Sequence, residues 1–248
     1  MSIEADTNKL ARMIDEADRV VAFTGAGIST ECGIPDFRSR DTAWTRHPPM
    51  PFQDFLASDD NQIIAWTRKF AMDDLHGDAK PGRGHAALAR LTEVGKVAGI
   101  ITQNIDGLHQ AAGTPGDRVV ELHGNGTYAV CLACGVTHQI ARVRERFAAD
   151  GRPPRCLCGG IVKSATISFG QSMPADAMAR ARDLVATCDL MISIGSSLVV
   201  YPAAGFPMLA KENGARLAIV NRDPTPLDDI ADLVLRGDIG SILAPLAK

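Results

Sequence analysis

Six short apolar runs, each ending in glycine or a small polar cluster, constrain this chain more than any other feature. Residues 20–23 lead into Thr24-Gly25-Ala26-Gly27, and Val97–Thr102 into Gln103-Asn104-Ile105-Asp106. Residues 118–122 lead into His123-Gly124, Leu190–Ile194 into Gly195-Ser196-Ser197, Arg216–Val220 into Asn221-Arg222-Asp223, and Leu233–Leu235 towards Gly237-Asp238. Runs of this kind have no polar face, which suits strands covered on both sides, as in a parallel sheet between helices. Helix-period stretches separate them: residues 7–17, 85–95 (stopped at Gly95), 174–186 and 203–213 (capped at Gly214), with a last helix closing the chain. The expectation is an α/β fold with helices on both faces of a parallel sheet. Its polar strand ends then share one edge, where ligands bind.

The stretch after the first strand, residues 24–38, reads Thr-Gly-Ala-Gly-Ile-Ser-Thr-Glu-Cys-Gly-Ile-Pro-Asp-Phe-Arg. Gly25 and Gly27 suit a turn in which backbone amides approach a pyrophosphate with no Cβ in the way. The third glycine of the usual dinucleotide fingerprint is missing, since Thr30 stands there, and no single acidic residue about 20 positions on serves a ribose. Those two differences argue against a dehydrogenase. Gly33-Ile34-Pro35-Asp36-Phe37-Arg38 combines a fixed φ, a free glycine and two opposite charges around a ring, more than a plain connector needs. Residues 39–84 carry no strand signal and cluster Trp44, Phe52, Phe55, Ile63, Ile64, Trp66, Phe70 and Leu75, which reads as a helical insertion. Its aromatics suit either the wall of an apolar pocket or the core of a helical lobe.

Four of the six cysteines form two tight pairs, Cys131-x-x-Cys134 and Cys156-x-Cys158, among turn-forming prolines and glycines. Four thiolates on two knuckles match a closed tetrahedral zinc site, structural rather than catalytic. Two free or redox-active pairs are the alternative, but the thioredoxin-like βαβ setting of such pairs is missing. Cys32 and Cys188 read as small packing residues. The charged share of 22 % and net charge of −3 give no field that favours nucleic acid or a membrane surface. No apolar stretch is long enough to span a bilayer, and the N-terminus lacks a signal-peptide pattern, so a cytoplasmic address is expected.

In the order Gly25-Ala-Gly-Ile-Ser, Gly33-Ile-Pro-Asp-Phe-Arg, Thr102–His109, His123-Gly124, the cysteine pairs, Gly195-Ser-Ser and Val220-Asn221, the chain resembles the sirtuin family over about residues 17–240. That resemblance implies a Rossmann-like NAD-binding domain (1–38, 85–123 and 166–248), a helical insertion (39–84) and a zinc-binding module (124–165). It implies an NAD-dependent protein-lysine deacylase that transfers the acyl group to ADP-ribose and releases nicotinamide, with one structural zinc on Cys131, Cys134, Cys156 and Cys158. His123 would be the base that activates the ribose hydroxyl, with Asn104 and Asp106 as its catalytic company. NAD would lie against Gly25, Ala26, Gly27, Ser29, Asp36, Phe37, Arg38, Gln103, Ile105, Gly195, Ser196, Ser197, Asn221 and Ile239. Ile167, Phe169, Gly170 and Val199 would meet an acyl-lysine peptide or protein.

Two departures bear on the substrate. Residues 164–171 read Ser-Ala-Thr-Ile-Ser-Phe-Gly-Gln where sirtuins commonly carry acidic residues at the positions of Ala165 and Gln171. The insertion also lacks the Tyr-x-x-Arg of sirtuins that prefer acidic acyl groups; the nearest run is Trp66-Thr67-Arg68-Lys69-Phe70. A neutral acyl group is therefore expected. Competing readings are a protein mono-ADP-ribosyltransferase and a catalytically silent NAD-sensing module.

Overall fold

The computed structural model describes residues 3–36 and 49–247. Phe37, Arg38 and Trp44 lie outside the described residues. The apolar runs form a six-stranded sheet in which every neighbouring pair is parallel. Its strands are β1 (Val20–Thr24), β2 (Val97–Thr102), β3 (Val119–Glu121), β7 (Leu190–Ile194), β8 (Arg216–Val220) and β9 (Leu233–Leu235), in the order β3-β2-β1-β7-β8-β9. The chain leaves β1 towards β2 on one side and reaches β7 on the other, so the strand order reverses between β1 and β7. Open α/β sheets bind their ligands at such a switch point.

Alternation along the strands feeds two cores. Val20, Ala22, Ile100, Ile192 and Ala218 face the helices Ile3–Glu16, Arg83–Glu93 and Ile239–Leu243. Val21, Phe23, Ile101, Met191 and Ile219 face the helices Ala175–Thr187 and Gly205–Glu212. Every residue of β1 and β7 is buried, the condition under which a strand reads as a continuous apolar run.

A smaller lobe has its own core. The antiparallel strands β4 (Gly124–Cys131), β5 (Thr137–Gln139) and β6 (Val162–Thr166) pair in the order β5-β4-β6. Trp66 and Phe70, on the helix Asp59–His76, pack with Ala129, Val143 and Val162, and the Trp66 indole N–H donates to the Val162 carbonyl at 3.3 Å. These two rings are thus lobe core and not a pocket wall. The helix Ile140–Asp150, between the cysteine pairs, completes this core through Val143, Ile140 and Phe147.

The sequence of residues 166–169 suggests one more short strand, but the strand lies at Val162–Thr166, with Phe169 and Gly170 in a turn. Lys163 hid it: a buried lysine breaks the apolar pattern, and its ammonium donates to the carbonyls of Ser164 and Thr166. Burial pushes that lysine down to about 8. Among the described residues, no helix is long and apolar enough to cross a membrane.

Candidate active site

At the switch point the loops after β1 and β7 interlock through their glycines. Gly25 N–H donates to Ile194 O at 3.0 Å, and Gly27 N–H donates to Gly195 O at 2.8 Å. A Cβ on Gly27 would stand 2.7 Å from Gly195 Cα, and one on Gly195 would stand 2.5 Å from Ile28 N. Gly195 also sits at φ +64, in the left-handed region. Both loop amides are therefore consumed inside the protein. Glycine is required here for the approach of one loop to the other, and not, as the sequence suggests, to free these amides for a pyrophosphate. Gly27→Ala, which pushes a methyl against backbone that cannot yield, should cost about 1–3 kcal/mol; a denaturation midpoint equal to the parent's would refute this packing.

Gln103 ties the edge together. Its N–H donates to Thr24 O at 2.9 Å, its side-chain amide donates to Ser196 Oγ at 2.8 Å, and its carbonyl accepts from His123 Nδ1 at 3.0 Å. A carbonyl can only accept, so the proton of neutral His123 is on Nδ1 and the lone pair on Nε2. Burial is the larger influence on this ring and lowers its pKa below the ordinary 6.5, with the Gln103 bond opposing. The neutral ring, with its lone pair on Nε2, is accordingly favoured.

Asn104 and Asp106 meet on Ser29. Asn104 Nδ2 donates to Gly25 O and to Ser29 Oγ, each at 3.2 Å, while Ser29 Oγ donates to Asp106 Oδ2 at 2.7 Å. The other carboxylate oxygen accepts from Leu108 N–H at 2.9 Å. The carboxylate is thus fixed in place by two donors. Ile105 contributes backbone, its carbonyl accepting from Gly126 N–H at 2.7 Å. Beneath this layer His109 turns inward. Its Nε2 bonds Thr24 Oγ1 at 2.9 Å, and burial drives its pKa down to about 3. Against it, ring centroids 5.0 Å apart, lies His85, which the sequence reading did not single out and which is fully buried. Its Nδ1 accepts from Gly82 N–H at 3.3 Å, at the start of the helix Arg83–Glu93.

The remaining expected residues are spread along the same edge. Asp36 forms an ion pair with Arg222 at 3.6 Å, and the side chain of Asn221 holds its own loop through Asp223 O at 2.8 Å. Ser196 is buried and Ser197 half-buried, and Ala26 opens the short helix Ala26–Cys32. Ile239 packs inward, its Cγ2 close to Gly84. On the small-lobe side, Ile167 N–H donates to His123 O at 2.8 Å, which places Ile167 beside the histidine. Phe169 is 60 % exposed, Gly170 sits at φ +79 and Val199 is exposed.

A dinucleotide lying across the switch point needs polar groups along the strand ends and no side chains between the loops. The Ser196 hydroxyl, Gln103, Asn104, Asp106 and His123 Nε2 supply the first, and the three glycines the second, so the residues present fit NAD.

The cysteine cluster fits a zinc ion. Four sulfurs about 2.3 Å from a tetrahedral zinc stand about 3.8 Å apart. Here the Sγ pairs Cys131–Cys158, Cys134–Cys158 and Cys134–Cys156 lie at 3.5, 3.4 and 3.7 Å, and all four atoms lie within 4.8 Å of one another. Gly160 permits this closeness, since a Cβ there would stand 2.6 Å from Cys131 Sγ.

Comparison with known proteins agrees with this geometry. The profile of the Sir2 family matches residues 25–202. The NAD-dependent protein deacetylase 1 of Bradyrhizobium diazoefficiens is 57 % identical over 98 % of this chain and 96 % of its own length. The NAD-dependent protein deacetylase of Rhodopseudomonas palustris is also 57 % identical, over 98 % of this chain and 97 % of its own. A solved Sir2 structure with a deacetylated p53 peptide and 3′-O-acetyl ADP ribose superimposes with a TM-score of 0.86 at 35 % identity, covering 97 % of this chain and 96 % of that one. A Sir2–p53 peptide–NAD+ structure gives a TM-score of 0.83 at 33 % identity, over 99 % and 97 % of the two chains. By its fold, its clustered strand-end residues and these likenesses over nearly its whole length, the chain belongs to the Sir2 family.

Proposed function

We propose that this protein is an NAD-dependent protein-lysine deacetylase that moves the acyl group of a modified lysine onto ADP-ribose and releases nicotinamide. One observation carries the reading. His123 presents Nε2 on the sheet edge where the strand ends gather, held through Gln103, beside an Asn104–Ser29–Asp106 network. The names of relatives that match nearly the whole chain support it. NAD supplies a bond to a good leaving group, so the protein has chiefly to position a weak nucleophile and exclude water.

His123 Nε2 takes the proton from the attacking ribose hydroxyl, while the Gln103 carbonyl keeps the ring oriented. Asp106 and Asn104, locked by Ser29, fix the ribose and the nicotinamide end. In this reading 1–38, 85–123 and 166–248 form the nucleotide-binding part, 39–84 the insertion and 124–165 the zinc module. Residues 167–170, which start from Ile167 bonded to the His123 carbonyl, carry the peptide past the base, with Phe169 and Val199 offering apolar surface to it. The acyl group is neutral: Lys69, in the run nearest the acid-pairing motif, is already paired with Asp73.

The test is release of nicotinamide from NAD on addition of an acetyl-lysine peptide; none with any acyl-lysine would leave a binding module. The depressed pKa of His123 adds a pH signature. Protonation removes the base, so the acid limb of the activity profile should be centred below 6.5. An acid limb centred above 7 would contradict this environment.

A further inference from the structure

Away from the strand-end site, the four-cysteine lobe holds a cavity of about 250 Å³ that the chemistry above does not use. Its floor is apolar, from Val143 and Val162, and its walls carry Arg142, Arg146, Arg155 and His138. Arg142 and Arg146 stand four residues apart on the helix Ile140–Asp150, so their guanidinium groups share one face a turn apart. Like charges at that spacing repel and weaken a helix unless something lies between them. The other arginine of this run, Arg144, turns away, over the Phe70 ring and onto Asp74 at 2.6 Å.

Acids pair two of the three guanidinium groups in the walls, one closely and one at long range. Asp59 is engaged by Arg155 at 2.6 Å, and Glu145 reaches Arg142 only at 3.8 Å. Among the described residues Arg146 has no acidic partner. His138 Nε2 is buried without a hydrogen-bond partner. A buried polar nitrogen left unpaired costs free energy. An unpaired guanidinium (Arg146), a second held only at long range (Arg142) and a third already paired (Arg155) line one cavity with His138, in a chain of net charge −3, and describe a receptor for an anion. Guanidinium forks match the paired oxygens of a phosphoryl group.

We propose that this cavity binds a small anion of the phosphate class. The site lies on the helix that carries Val143 and Phe147 into the lobe core, so its occupant would brace the packing of that helix on Trp66 and Phe70.

The test uses the full-length, zinc-loaded protein, titrated with inorganic phosphate and with pyrophosphate at constant ionic strength and followed by calorimetry. Chloride serves as the control anion and ADP-ribose as a competitor for the strand-end site. The expected result is saturable one-site binding that ADP-ribose does not displace. It should weaken at least tenfold in R146Q and further in the R142Q/R146Q double variant. Both arginines are exposed, so the variants should keep zinc content, circular dichroism and NAD-dependent activity at parent levels. Binding equal to the parent's in both variants would overturn the proposal, as would displacement by ADP-ribose or an equal response to chloride.

Discussion

His123→Ala should abolish turnover while leaving the fold, the zinc content and NAD affinity close to those of the parent. The ring is half-buried just past β3, and its one hydrogen bond among the described residues runs to the Gln103 carbonyl. Its loss removes the base, and a general base contributes roughly 10²–10⁴-fold to rate. Gln103 itself remains anchored through Thr24 O and Ser196 Oγ, so the nucleotide edge should survive. The split is the informative result: kcat falls by orders of magnitude while the NAD dissociation constant changes a few-fold at most. A parallel loss of binding and of thermal stability would make His123 a structural residue.

The second large effect is expected from the cysteine cluster. Cys156→Ser removes one of four thiolates, and its side chain also packs against the core built on Trp66, Phe70 and Val162. Metal binding and folding are linked in such sites, because the unfolded chain does not hold the ligands together. The variant should be purified without zinc, and its first thermal transition should fall by about 10 °C or more. The six-stranded sheet draws neither of its cores from residues 124–166, so a second transition should stay near its original temperature. Activity should go with the first transition, since residues 167–170 hang on β6 beside His123. Full activity in a metal-free variant would overturn the structural role.

Much of this architecture is legible in the sequence because it follows from one-dimensional burial. β2, β7, β8 and β9 have the limits that their apolar runs suggest, since strands buried on both faces have little room for polar residues. The small lobe resists the same reading. β4 mixes Asn125, Thr127 and Tyr128 into a short ribbon, β5 has three residues, and β6 buries Lys163. The helix Ile140–Asp150 has an apolar face of only Ile140, Val143 and Phe147, easily overlooked between cysteine motifs.

At the site, the residues are readable as strand-end signatures, but their partners are not. Gln103 bonds Ser196, 93 positions away, and Ser29 bonds Asp106, 77 positions away. The demand for glycine at 27 comes from Gly195, which only the β1–β7 pairing brings near. His85 sits in the same category. A histidine on an apolar helix face carries no sign of the second ring packed against it.

The most direct test of the central claim is mass spectrometry of a reaction containing NAD and a mixture of acetyl-, butyryl-, myristoyl- and succinyl-lysine peptides. Nicotinamide together with O-acyl-ADP-ribose is expected, formed from the neutral acyl peptides and absent without NAD. Nicotinamide accompanied by a peptide or protein that has gained ADP-ribose, with every acyl group still in place, would contradict it and identify a transferase instead.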